Sequence, residues 1–535
     1  MSAGPALRDA LAAAALAEIP KLLTLLDRTP TSATYGCFDR AYWHYRMRDF
    51  PSGMCQEFVL PLALAWALPI PGNAFHRAPA IRDSVAAGIR FAAKAAHRDG
   101  SCDDYYPFER ATGAAAFSLY ACLEAIELTD LACDASILAF LRRRAGWLAD
   151  HRESGRLSNH EALIIACLAR MEEREPGQWE NRLHDRTARL LSWQSDEGWF
   201  DEYGGADPGY LSLTIGLLAE IDRRRPDLGL REPLRRAIDF FAATLHPDGS
   251  TGGEYTSRGT LGFFPHGFEI AADWHRDAAP INDRALRPLV EGRQPSFSDD
   301  HIVGHHLWSW LMTWAAWRNA RPGPIALPGA TRRFDDARLL VDVHGETRLH
   351  LGWSRGGAFK LFARETLLLS DTGPALGMRD GKSAVTHLEG PAQSSIEDNH
   401  IVIAGRMAWT KATLLTPMKS ILLRIVMLIA GRLFPNLIRR VLQGILVTGR
   451  RDAPFAFRRE LIWHDGAWTI TDTITPTRGW NKVRAIGIGH SQLSTTTVMA
   501  RVWQAAQIAL WIDLSDRLAG LSGNTPLIVT RRLTR

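Results

Sequence analysis

The chain has 535 residues, of which 46% are hydrophobic, 23% charged and 9% aromatic, enough apolar material for more than one core and unlike a disordered protein. Lys and Arg total 63 against 58 Asp and Glu, and the resulting net charge of +5 is too small for a protein that coats nucleic acid. No Cys-x-x-Cys pair occurs among Cys37, Cys55, Cys102, Cys122, Cys133 and Cys167, which argues against a structural zinc site.

Residues 1–20 are alanine-rich but interrupted by Arg8, Asp9 and Glu18, so they read as an amphipathic helix and not as a secretion signal. The expectation is a cytoplasmic protein whose cysteines are free thiols. Up to about residue 320, apolar residues recur at helical spacing, as in Val59, Leu62, Ala63 and Trp66. Gly-containing loops at Asp99-Gly100, Ser154-Gly155, Asp196-Glu197-Gly198 and Asp248-Gly249 break the helices every 50 residues or so, about the length of a helical hairpin. This pattern predicts an α/α toroid or helical solenoid over residues 1–320. The loops that follow carry Asp104, Tyr105 and Tyr106, then Trp199 and Tyr203, then Tyr255 and Arg258, with His266 beyond. These are candidate sugar-binding groups, although turn chemistry alone would explain the glycines and aspartates.

Residues 321–330, rich in Pro and Gly, read as a linker, and 331–535 as an antiparallel β-sandwich domain of short alternating runs such as Phe457 to Trp463. One insertion departs from that pattern. Residues 411–451 contain eight Lys or Arg and no Asp or Glu, interleaved with large aliphatics. Arginines recur too often for a spanning helix, so the segment is expected to lie on an anionic membrane surface or to pack on protein. The rest of the chain is then slightly acidic.

Asp99 to Ala121, Ser158-Asn159-His160-Glu161-Ala162-Leu163, Asp196 to Ile215 and Asp248 to Glu269 resemble the heparinase II/III-like polysaccharide lyases. The resemblance implies an incomplete α/α toroid followed by a β-sandwich with a sugar cleft between them. It also implies a catalytic Asn-His pair, matched by Asn159 and His160, and a catalytic tyrosine, matched by Tyr210. β-Elimination from a uronate needs its carboxylate neutralised, which Asn159 or Arg258 can do. It also needs a base and an acid, roles that fit His160 and Tyr210 in either order. The same residues could simply be a capped helix start.

Such lyases usually carry a further histidine in the β half; His387 and His400 are the candidates here, in different surroundings. Asp299, Asp300, His301 and His305 could hold a metal if helical, or cap a core helix. No cofactor is expected. The expected partner is an acidic polysaccharide, with no nucleic acid, at the inner face of a cell membrane. Two rival readings stand beside the lyase. One is a non-catalytic glycan-binding or assembly subunit; the other is an α/α-toroid glycoside hydrolase with paired carboxylates from Asp103, Asp104, Glu109, Asp201, Glu202 and Glu254.

Overall fold

Asp-Gly turns reverse the chain because an aspartate can accept the amide two residues on while glycine takes a backbone that L-residues avoid. Asp99 Oδ1 accepts the Ser101 amide at 3.0 Å and Asp248 Oδ1 that of Ser250 at 2.9 Å. Gly100 and Gly249, at φ +94° and +85°, lie so close to the backbone of Arg143–Arg144 and of Arg284 that a Cβ would meet it within 2.5 and 2.3 Å. Each turn therefore seats its hairpin on the next.

A computed structural model describes residues 3–293, 300–388, 390, 392–410, 416–431, 433, 434, 437, 438, 441, 450–490 and 511–533. The helices are α1 (Ala3–Leu25), α2 (Arg40–Trp43), α3 (Val59–Ala67), α4 (Pro79–Ala95), α5 (Thr112–Leu128), α6 (Ala135–Asp150), α7 (Ser158–Arg174), α8 (Glu180–Leu191), α9 (Pro208–Arg224), α10 (Arg231–Thr244), α11 (His266–Ala271), α12 (Ala278–Val290) and α13 (Gly304–Ala316).

α3, α5, α7, α9, α11 and α13 each pack on the next, and α13 packs back on α3; α1 packs on α12 and α13. The result is an α/α toroid. The inner helices are apolar nearly all round, α5 being buried from Thr112 to Ile126, whereas outer helices such as α8 bury only one stripe. Inner-to-outer connections are short: 129–134, 175–179, 225–230 and 272–277. The connections that lead into inner helices at 96–111, 192–207 and 245–265 are longer and gather at the end where those helices begin. That end is the mouth, where helix N-termini favour negative charge.

After α13 the chain becomes β: β1 (Arg332–Phe334), β2 (Leu339–His344), β3 (Thr347–Gly352), β4 (Ala358–Ala363), β5 (Thr366–Asp371), β6 (Gly373–Met378), β7 (Ser383–Val385), β8 (Ala392–Glu397), β9 (His400–Trp409), β10 (Asp452–His464), β11 (Ala467–Pro476), β12 (Val483–Gly489), β13 (Trp511–Asp513) and β14 (Leu527–Leu533). β1 to β5 form one antiparallel meander. The second sheet runs β13-β12-β6-β7-β9-β10-β11-β14, with β8 beside β9. The two share one apolar core, in which Leu349, Leu351, Phe359 and Leu361 pack with Ile401, Ile403, Leu461 and Ile470. Beside it, the fully buried Arg459 bonds Asp371 and Asp472, which Arg531 also joins, so the charge is paired.

The first sheet leans on the mouth loops. Glu197 accepts the amides of Asp336 and Ala337, Lys360 lies 3.5 Å from Glu254, and a Cβ on Gly352 would meet the Tyr255 carbonyl at 1.9 Å. The sheet thereby holds the loop that carries Arg258. Between β9 and β10, α14 (Pro417–Val426) runs into a π-helical turn, Met427–Gly431. In the sequence Pro435 divides 411–451 into two expected helices, and the second falls mostly outside the described residues. Among those described, no helix is long and apolar enough to cross a membrane.

Candidate active site

Three mouth loops are stitched together before any catalytic group is considered. Asp207 caps α9 by accepting the Tyr210 amide at 3.0 Å, and its carboxylate also accepts the Thr256 hydroxyl, the amides of Arg258 and Thr260, and the Thr260 hydroxyl. One buried carboxylate thus fixes the start of α9 against the 256–260 loop and brings Arg258 to Tyr210. In the neighbouring loop, Tyr203 donates its amide to the Arg156 carbonyl and Glu202 pairs with Leu157.

At the start of α7, Glu202 Oε2 accepts the Ser158 hydroxyl at 2.9 Å and the Asn159 amide N–H at 3.4 Å. The Asn159 side chain is buried against this carboxylate, whose charged form it helps to hold, while its Oδ1 completes no hydrogen bond among the described residues. A buried amide oxygen left without a donor is costly and marks a place where a polar ligand could be received. Burial pushes the Glu202 carboxyl up to about 7, against the pull of the His160 and Arg258 charges.

His160 Nδ1 meets Glu153 Oε2 at 2.8 Å, and the ring, one-fifth exposed, lies against Gly113 and the edge of Phe117. A Cβ on Gly113 would come within 2.6 Å of that ring, so glycine in the first turn of α5 makes room for the histidine. The Arg258 guanidinium lies 3.9 Å from the centre of the Tyr203 ring and bonds the Tyr210 hydroxyl. Burial pushes that hydroxyl up to about 12, with Arg258 opposing, so Tyr210 carries its proton at neutral pH. Asn159, His160, Tyr210 and Arg258 are thereby drawn around Glu202 from three successive loops. The group contains a proton donor, an imidazole braced by a carboxylate, a cation and a buried amide.

Other sequence candidates are occupied differently. Trp199 is buried and donates to Glu197, Tyr255 is buried with its hydroxyl 2.8 Å from His246 Nε2, and His266 is buried with Nδ1 2.7 Å from the Ser309 hydroxyl. These three are engaged in the packing of the toroid. Asp104 is buried and accepts the Ser52 hydroxyl, with His301 Nε2 at 2.7 Å from it. Tyr105 is 61% exposed beside His301, Tyr106 is half-buried, and Tyr203 stacks on Arg258, so these tyrosines sit at the rim.

Asp300 pairs with Arg40, His301 with Asp104 and His305 with Glu57. α13 starts only at Gly304, so His301 precedes the helix, shares no face with His305, and the metal set does not assemble; Asp299 lies outside the described residues. In the β half, His387 is buried with Nδ1 near the Thr372 carbonyl, and the part-exposed His400 pairs with Glu460. Neither is tied to the Glu202 cluster by any of these bonds.

No protein-family model matches the chain, and no curated protein sequence matches it; the likeness is structural. The chondroitin AC lyase of Streptomyces coelicolor A3, solved in complex with chondroitin sulphate, aligns with a TM-score of 0.51 at 11% identity over 90% of this chain and 67% of that one. A second chondroitinase AC lyase, solved with oligosaccharides, aligns at TM-score 0.46 and 9% identity over 91% and 68%. A heparinase III aligns at TM-score 0.40 and 11% identity over 90% and 71%. The first establishes the fold, which is that of toroid-and-sandwich polysaccharide lyases.

Proposed function

We propose that the chain is a heparinase II/III-like polysaccharide lyase that cleaves a uronate-containing glycan by β-elimination. The observation that carries this reading is the convergence of Asn159, His160, Tyr210 and Arg258 around Glu202. The uronate carboxylate would be received by the Asn159 amide and the Arg258 cation, which acidifies the C5 proton. His160 takes that proton, and Tyr210, protonated at neutral pH, delivers its own to the departing glycosidic oxygen; with the opposite C5 epimer Tyr210 first passes its proton to His160 and, as tyrosinate, takes the C5 proton, and the imidazolium protonates the leaving oxygen. Aromatic rim residues Tyr105, Tyr106 and Tyr203 would carry flanking sugars.

In this reading residues 1–320 form the catalytic toroid, 321–330 the linker and 331–535 the domain that braces the Arg258 loop. The setting is polysaccharide biosynthesis at the cytoplasmic face of a membrane met by residues 411–451. Six free thiols, five of them buried, agree with a reducing compartment. Among the carboxylates of the hydrolase alternative, Asp103 and Glu109 accept loop amides, Asp201 pairs with Arg156 and Glu254 with Lys360, which leaves Glu202, raised to about 7, as its one candidate acid at the mouth.

Incubation with a panel of uronate polymers tests the reading. Near-ultraviolet absorbance from the unsaturated product should rise with wild type and vanish in His160→Ala and Tyr210→Phe. The separate engagements of His387 and His400 favour one second reading, a glycan-binding subunit; it would show retained glycan affinity with no absorbance from any polymer.

A further inference from the structure

An amphipathic helix on a soluble protein normally turns its apolar stripe inward. α14 does the opposite. Met418, Ile421, Leu422, Ile425, Leu428 and Ile429 recur at three- and four-residue spacing and are all exposed, Leu422 to 62%. The less exposed side is Ser420, Leu423, Arg424, Val426 and Met427, of which only Met427 is buried, with Arg424 bonded to Asp49 at 2.5 Å and near the Phe50 ring. Leu433, Phe434, Leu437 and Val441 continue the exposed apolar set.

The surface does not end with α14. The loop that receives Arg424 also exposes Tyr45 and, to 79%, Met47. The same loop reaches the mouth: Arg48 donates to the Asp104 carbonyl, Ser52 to the Asp104 carboxylate, and Gly53 to the Asp103 carbonyl. The next residue along that rim is the exposed Tyr105. The apolar face and the cleft entrance are therefore neighbours, joined through a single loop.

We infer that α14 and the Tyr45–Met47 loop form one docking surface for an anionic lipid bilayer, which turns the Tyr105 rim of the cleft toward a glycan held at that membrane. Charge selects this occupant. Residues 411–451 hold eight basic residues and no acid in sequence, and on the described surface Lys419 of α14 and Arg46 beside Met47 are exposed, so a second copy laid face to face would bring like charges together, whereas phosphate headgroups complement them while the aliphatics enter the acyl boundary. The choice of glycan rests on the lyase reading above, and the lipid contact deepens the membrane placement of residues 411–451 given there.

Flotation with phosphatidylcholine vesicles, with and without phosphatidylglycerol, tests the contact. Wild type should float with the anionic vesicles. The exposed-site triple variant Ile421→Glu, Leu422→Glu, Ile425→Glu should bind about a hundredfold more weakly, and Met47→Glu about tenfold. Wild type that stays at the bottom, or a triple variant that floats equally well, overturns the proposal. So does a lipid-free wild-type dimer that the triple variant turns into a monomer, since a second copy would then cover the face. Met47→Glu floating like wild type would overturn the orientation of the cleft. A lipid-anchored uronate oligosaccharide should be cleaved more slowly by the triple variant, while the free polymer is cleaved at the wild-type rate. Wild type cleaving neither would overturn the lyase reading and leave the flotation result standing.

Discussion

The mouth of the toroid and the outer face of α14 break opposite rules. At the mouth, Asn159, Glu202, Asp207 and Arg258 are polar or charged yet buried; on α14, Ile421, Leu422 and Ile425 are aliphatic yet exposed. Each arrangement sacrifices folding free energy, the first by desolvating polar groups and the second by wetting apolar ones. The difference lies in how the chain contains them. The mouth is held by hydrogen bonds from three loops, so its groups have one geometry before any ligand arrives. The α14 face has an ion pair beneath it and solvent above, which suits a surface that adapts to what it meets.

The largest effect should come from the proton-handling pair. Tyr210→Phe and His160→Ala are expected to lower turnover by about 10²–10⁴ with circular dichroism unchanged; retained turnover would end the claim that the mouth is catalytic. Glu202→Gln probes the cost of burying charge. The Glu202 carboxyl rises from its ordinary 4.5 to about 7 in the folded chain, so the folded state holds the proton more tightly and wild-type stability falls as pH climbs from 4.5 through 7. The glutamine cannot ionise. Its stability relative to wild type should therefore grow across that window, by on the order of 3 kcal/mol in denaturant melts at each pH.

Gly113→Ala places a methyl against His160 and should cut turnover about a hundredfold through misplacement alone, with the melting temperature held or raised by better helix propensity. Asn159→Leu should abolish activity while changing stability in denaturant melts by no more than about 1 kcal/mol, because the amide it removes leans only on Glu202. The smallest change belongs to α14. Leu422→Ser should alter lipid-free stability by no more than about 0.5 kcal/mol, whereas a core change such as Leu213→Ala should remove about 2–5 kcal/mol. Equal losses at the two leucines would mean that the α14 face is already packed.

Local chemistry explains which parts could be read from the chain alone. Asp-Gly turns and helical periodicity are short-range signals, so the hairpins and the change to strands near residue 330 were visible, as was the one-repeat spacing of His160 and Tyr210. Glu202 and Asp207 were not singled out as organisers, because their importance lies in partners some fifty positions away, such as Ser158 and Thr260. Trp199, Tyr255 and His266 were singled out because an aromatic in a glycine-rich loop looks the same whether it faces a sugar or, as with Tyr255, packs on His246. His301 and His305 misled because their spacing implies a shared face only inside a helix. The aliphatic stripe of α14 was legible; that it points away from the protein was not, since periodicity defines a face without saying what covers it.

The placement of α1 against α12 and α13 also shapes how the chain folds as it is made. Arg8 donates to the carbonyl of Trp314, 306 positions later. At a synthesis rate of about 5–20 residues per second, the first helix waits on the order of 15–60 s for its partner to emerge. During that interval Leu11, Ala15, Ile19 and Leu22, fully buried in the finished ring, have α3 as a partner but neither α12 nor α13. Ring closure is thus the late, long-range step, and the N-terminal helix is the segment most exposed to chaperones and to misassociation while the protein is being born.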